Sequence, residues 1–181
     1  MSTTYIALLR GINVGGKHKV PMKDLVDVFA SAGCGDVRTY IQSGNVVFRA
    51  DPPDSALLSS ALGARIAERF GFPAPVILRT AGELAAVLTD NPYVQAGAAE
   101  ESLHVLFLDG IPDPVRVATL DPERSAPDTF VVAGREIYLC LPSGAGNTRL
   151  TNAYFDRQLA VVSTQRNART VAKLAEMARS G

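Results

Sequence analysis

Residues 37–49 read VRTYIQSGNVVFR: two runs rich in β-branched and aromatic residues, Val37–Gln42 and Asn45–Arg49, separated by Ser43-Gly44. The pattern predicts an antiparallel hairpin, because those residue types suit a pleated, half-buried surface and Ser-Gly supplies the turn. What flanks the hairpin decides the fold. On its N-terminal side Pro21 opens a helix, Met22–Ala32, whose Leu25, Val28 and Phe29 share one face before Gly33 and Gly35 end it. A strand, Tyr5–Arg10, precedes that helix, and on the other side helix Ser55–Phe70 leads through Gly71-Phe-Pro to strand Ala74–Arg79. A hairpin with a helix on each side gives the order βαββαβ. That order is the ferredoxin-like plait, an antiparallel four-stranded sheet covered on one face by two helices.

The scheme then repeats. Thr80 followed by Glu83 is a capping box opening a short extra helix to about Thr89, which Asn91-Pro92 stops. The second half reads as strand Leu103–Leu108, short helix Pro114–Leu120, hairpin strands Thr129–Ala133 and Glu136–Leu141 around Gly134, helix Leu150–Leu159, brief strand Val161–Thr164 and final helix Ala168–Ala178. Both halves end alike: VILRTAGEL places Arg79 and Thr80 before its helix, and VVSTQRNARTV places Arg166 and Asn167 before its own. Thr80 and Asn167 are each expected to be an N-cap. The expected fold is α+β, two ferredoxin-like plaits in tandem, each followed by an extra helix. Their expected bounds are 1–92 and 103–181, with a linker at about 93–102.

A chain of 181 residues, 47% hydrophobic and 20% charged, is an ordinary globular composition that needs no disulfide or metal staple. Its 18 Lys+Arg balance 18 Asp+Glu, which argues against a protein whose whole surface is an electrostatic glove for nucleic acid. The charges are nevertheless segregated. Residues 1–23 hold Arg10, Lys17, Lys19 and Lys23 with no acid, and residues 142–181 hold six cations against Asp156 and Glu176, so each end carries +4. No apolar stretch is long enough to span a membrane, no signal peptide is evident, and Cys34 and Cys140 lie in unrelated contexts, so a cytoplasmic location without a disulfide framework is expected.

Glycine-rich polar segments coincide with the basic ends. Residues 9–23, LRGINVGGKHKVPMK, put Arg10, Asn13, Gly15, Gly16, Lys17 and Lys19 after a strand. Gly11 to Lys17 spells G-x-x-x-x-G-K, but His18 replaces the magnesium-binding hydroxyl of a P-loop and Pro21 delays the helix. A looser anion-binding loop is the better reading, and a plain surface turn is its alternative. In the hairpin, Gln42, Ser43 and Asn45 can recognise a ligand or simply make a turn. Residues 142–152, PSGAGNTRLTN, offer Arg149, Thr151 and Asn152, with Thr148 a possible helix cap. Residues 163–170, STQRNART, offer Thr164, Arg166 and Asn167 near the last helix. Neither His18 nor His104 has companions at metal spacing, so no metal and no cofactor are expected.

The blocks YIALLRGINVGGKHKVPMKDL, TYIQSGNVVF, RLTNAYFDRQL and TQRNARTVAKL together resemble the signature of a bacterial family known as domain of unknown function (DUF) 1697. The resemblance spans both ends of the chain in compatible order. It implies a cytoplasmic protein of two ferredoxin-like subdomains and brings no established activity. The polar signature falls here on Arg10, Asn13, Gly15, Gly16 and Lys17, on Gln42, Ser43, Gly44 and Asn45, and on Thr164, Arg166 and Asn167. One departure is Ala168, where the family carries an aromatic residue.

Three functions follow from these residues. The leading one is a binding module for an anionic ligand, a phosphate-bearing small molecule, nucleotide or nucleic-acid segment, held in a basic cleft between the two subdomains, with Tyr40 and Phe48 as the candidate stacking aromatics. The second is a metal-independent enzyme on a small anionic substrate, with Arg10 and Arg166 as clamps. In the third the polar motifs are structural, satisfying buried backbone groups.

Overall fold

The computed structural model describes residues 2–51 and 54–181. The first half runs β1 (Thr3–Leu9), α1 (Met22–Ser31), β2 (Gly35–Tyr40), β3 (Asn45–Ala50), α2 (Ser55–Phe70) and β4 (Val76–Thr80). After it come α3 (Ala81–Thr89), α4 (Pro92–Gln95) and a single 3-10 turn at Glu100–Ser102. The second half repeats the order as β5 (Leu103–Leu108), α5 (Pro114–Val117), β6 (Thr129–Ala133), β7 (Glu136–Cys140), α6 (Asn152–Leu159) and β8 (Ser163–Asn167), and ends in α7 (Ala168–Arg179). The protein is α+β, with two four-stranded antiparallel sheets ordered β2-β3-β1-β4 and β6-β7-β5-β8.

The chain divides into two compact units, Met1–Leu84 with Lys173–Gly181, and Ala85–Ala172. In the first, β1 is central because its apolar run lets both faces be buried: Ile6, Ala7 and Leu8 are wholly inaccessible. Alternate residues Tyr5, Ala7 and Leu9 join Leu25 and Phe29 of α1 and Leu62 and Ile66 of α2 in one core. Ile6 pairs with Val47 on one side and Arg79 on the other, so Arg79 lies on the face away from those helices. In the second unit Leu106 and Leu108 of β5 meet Ile137, Leu139, Tyr154, Phe155 and Leu159.

The local signals act as the sequence implies. Asp54 caps α2, accepting from the Ala56 N–H, and Gly71 ends it at φ 80°. The capping box is reciprocal, with the Thr80 N–H donating to Glu83 and the Glu83 N–H donating to the Thr80 hydroxyl at 2.8 and 3.2 Å.

Several bounds differ for physical reasons. The hairpin loop spans 41–44 rather than Ser43-Gly44 alone, because the Asn45 amide donates to the Tyr40 carbonyl and closes the pair earlier. Helix α6 begins at Asn152 and not Leu150, since the Thr151 hydroxyl accepts the Tyr154 N–H and is its cap. Helix α5 is one turn, ending at Val117 rather than Leu120. Most displaced is the last strand, expected at Val161–Thr164 and found at Ser163–Asn167. Ala160 at φ 54° ends α6, and residues 161–162 are spent turning back toward Asp109, whose carboxylate accepts the Val162 N–H. Pairing with β5 makes a strand of the polar run STQRN, which its composition alone does not announce. Among the described residues, no helix is long and apolar enough to cross a membrane.

Candidate functional site

Between β1 and α1 the chain folds back on itself. Gly15 and Gly16, at φ 57° and 74°, make a tight turn in which the Lys17 N–H donates to the Val14 carbonyl at 3.0 Å. Below the turn the Asn13 N–H donates to the His18 carbonyl, so the glycine-rich segment is a miniature hairpin. Asn13 holds it in place. Its amide donates to the carbonyls of Val20 at 3.1 Å and Gln42 at 2.8 Å, while its oxygen accepts the Val20 N–H at 2.8 Å. One side chain thus ties the start of the loop to its end and to the β2–β3 tip.

The tip is equally constrained. Asn45 is fully buried, and its amide donates to the Tyr40 carbonyl and the Ser43 hydroxyl at 3.0 and 2.9 Å. Gly44, at φ 82°, offers its carbonyl to the Leu9 N–H at 2.8 Å, and a Cβ there would stand 2.7 Å from the Leu9 Cβ. Phe48 belongs to the core, stacked on Tyr5 and edge-on to Phe29, and is not presented to a base.

These braces consume Asn13 and Asn45 and leave another set open. Gly15, Gly16, Lys17, Lys19 and Gln42 are exposed, and Arg10 is half-buried with its N–H on the Pro75 carbonyl. Among the described residues neither lysine ammonium has a protein partner. A groove of about 330 Å³ is lined by Asn13, Gly16, Lys19, Val20, Pro21 and Gln42, gathering residues from both predicted segments of the first unit.

The remaining predicted residues belong to the second unit, and most are engaged in holding its backbone. Thr151 caps α6, and the Asn152 amide donates to the Ser163 carbonyl at 3.0 Å. The Asn167 oxygen accepts the Thr170 N–H at 2.8 Å, capping α7 as expected although the residue ends β8. Arg166, expected in a loop facing an anion, is instead a buried strand residue. Its guanidinium donates to the Thr164 hydroxyl and the Gln165 carbonyl, each at 2.8 Å, and burial lowers its pKa to about 10. Arg149 is exposed on the 142–151 loop, its N–H bound to the Ser125 hydroxyl at 2.9 Å.

Burial raises the pKa of both cysteine thiols and lowers that of His104, whose Nδ1 lies 3.2 Å from the Gln165 amide. His18 stacks on Phe72 at 4.3 Å and its Nδ1 is 3.0 Å from the Gly11 carbonyl. Among the described residues no three His, Cys, Asp or Glu gather where a metal ion could sit.

Two groups escaped the sequence reading. Asp128 is buried, with its carboxylate accepting from the Ser143 N–H at 3.1 Å and the Ser125 hydroxyl at 3.2 Å. Burial alone would raise its pKa, but hydrogen bonds from Ser143, Thr148 and Ser125 outweigh that and hold it low. Arg124 donates from Nε to the Arg149 carbonyl at 3.1 Å. Both residues lie in DPERSAPDT, a run without periodicity, and their partners are brought in only by folding.

No curated protein matches the chain. Among solved structures, the conserved bacterial protein SP0830 from Streptococcus pneumoniae is similar over 98% of this chain and 99% of its own, with 25% identity and a TM-score of 0.74. The family described as protein of unknown function, DUF1697, matches residues 2–138, and with that extent of agreement the chain belongs to the DUF1697 family.

Proposed function

We propose that the β1–α1 loop of the first unit is a binding site for a small phosphate-bearing ligand. The observation that carries the reading is the contrast within one loop: Asn13 fixes its base through three hydrogen bonds, while Gly15, Gly16, Lys17 and Lys19 remain exposed above it. A rigid loop with two uncommitted ammonium groups loses little entropy on binding, which favours affinity. Residues 1–23 contain no acid to compete for those charges. The groove, about 330 Å³, is at the small end of ligand pockets, and burial of Phe48 removes one of the two aromatics that would stack a base. A small phosphate or mononucleotide therefore suits it better than a nucleic-acid strand.

Isothermal titration at low salt with inorganic phosphate, a mononucleotide and a short single-stranded RNA tests the site. Saturable heat with the first two, weakened at least about tenfold in a K17A/K19A double variant, is the expected result. Absence of binding by all three probes overturns it. Tighter binding of the RNA would shift the assignment to nucleic acid.

A structural role is the better reading for Asn45, Thr151, Asn152, Thr164, Arg166 and Asn167. Supporting it is the observation that Arg166 is buried with its guanidinium on its own strand. We also infer that each βαββαβ unit is a ferredoxin-like plait, with bounds near 1–92 and 103–181 and a linker at about 93–102, working in the cytoplasm. The 2-3-1-4 strand order in both sheets supports the plait.

A further inference from the structure

We propose that the second unit carries an oxyanion site of its own, in which Arg124 and Arg149 take a carboxylate or phosphate group. A groove of about 390 Å³ is lined by both arginines together with Glu123, Ser125, Ser143 and Asn147. All of these lining residues belong to the second unit.

The site is built rather than merely exposed. The Arg124 guanidinium lies over the Tyr154 ring at 4.0 Å, and its Nε donates to the Arg149 carbonyl at 3.1 Å. Tyr154 is itself fixed: its hydroxyl accepts the Asp121 N–H at 3.2 Å and its ring meets Phe155 edge-on at 5.0 Å. A guanidinium pinned by its Nε and one face keeps its two terminal nitrogens for a ligand, and these have no protein partner among the described residues. Such a preorganised fork matches the two oxygens of a carboxylate or phosphate.

The buried Asp128 braces two of the lining residues, Ser125 and Ser143. Its carboxylate gathers the Ser143 N–H and the Ser125 hydroxyl, and Ser125 in turn accepts the Arg149 N–H at 2.9 Å. The Asn147 amide donates to the Ser143 carbonyl at 2.8 Å, drawing the loop closed. Asp128 is buried and its oxygens are occupied, so it positions the main chain of Arg149 without facing the ligand. The exposed Arg149 side chain has no protein partner among the described residues and supplies the second cation. Glu123 is the one exposed carboxylate in the lining, and it disfavours highly charged anions relative to a single carboxylate or phosphate group.

Amide-resolved NMR titration of the full chain with inorganic phosphate, and separately with succinate, tests the proposal. Within the second unit, saturable shifts confined to residues 123–126 and 143–149 are expected, apart from any at the first-unit loop, and R149A should weaken the affinity of the effective probe for these segments at least tenfold while leaving the remaining spectrum in place. An R124K variant keeps the charge but loses the planar fork, and it should weaken binding comparably. No saturable shift in those segments with either probe overturns the proposal, as do equal shifts in R149A. The K17A/K19A variant separates this site from the first-unit loop: shifts at 123–126 and 143–149 must persist in it.

Discussion

The Asn13 side-chain amide donates to the Gln42 main-chain carbonyl at 2.8 Å, joining two turns 29 residues apart. Because the same side chain also exchanges two hydrogen bonds with Val20, the loop proposed to hold phosphate has little freedom at its base. Asn13 itself sits at φ 53°, a conformation that asparagine and glycine tolerate better than other residues. Asn13→Gly, which keeps the backbone but loses three hydrogen bonds, should lower stability by about 2 kcal/mol, and Asn13→Ala by about 1 kcal/mol more. Urea unfolding of the two variants separates the terms. In titrations, either variant should bind phosphate more weakly although both lysines remain, and unaltered affinity would show that the brace is unconnected with binding.

Gly44 is the second fixed point. A Cβ would stand 2.7 Å from the Leu9 Cβ and 2.9 Å from the Ile12 Cδ1, and φ is 82°. Leu9 Cβ is tied to backbone and cannot swing aside. Gly44→Ala should therefore cost about 2 to 4 kcal/mol by overpacking and backbone strain together. Truncating Ile12 in the same chain should not restore it, since the Leu9 contact remains. Thermal melts of the single and double variants provide the comparison.

Arg166 decides between a clamp and a brace. If its bonds to Thr164 and Gln165 are structural, Arg166→Ala should lower stability by about 2 to 4 kcal/mol through the lost hydrogen bonds and the space left behind. Arg166→Met should recover part of that loss by filling the space. Phosphate affinity should be unchanged in both. A variant that melts normally yet fails to bind would return Arg166 to the ligand.

Asp128 gives the protein a pH dependence of known sign. Its pKa is held below the usual carboxylate value by hydrogen bonds, so its contribution to stability is complete above about pH 4 and is lost as pH falls further, through the folded value. At neutral pH Asp128→Asn should cost about 1 to 3 kcal/mol, because Ser143 and Ser125 lose a charged acceptor. The gap between wild type and variant should narrow toward pH 3 in urea midpoints. A gap independent of pH would mean that Asp128 does not titrate as its hydrogen bonds require.

Much of the architecture was legible in local patterns. Helix Ser55–Phe70 and strands Leu103–Leu108 and Thr129–Ala133 fall where periodicity and residue type place them. Their signals are local: an apolar stripe, a cap, a β-branched run. Strand β8 departs from its local pattern for the converse reason. Ser163–Asn167 is polar, and it is extended because β5 offers it a ladder, which no pattern within those five residues records.

For the candidate site the division is sharper. Composition and order alone determined that a glycine-rich, basic, acid-free segment follows the first strand, and that two βαββαβ series succeed one another. Only the tertiary structure decided which polar residues are available. Asn13, Asn45 and Arg166 have the donors of ligand contacts, but these are spent on carbonyls and hydroxyls of the chain itself. Arg124, in a run with no motif or periodicity, is left with its fork open beside Arg149. A side chain's donors are free or consumed according to which backbone groups the sheets and turns bring within 3 Å, and that is a property of register and turn geometry, not of residue type.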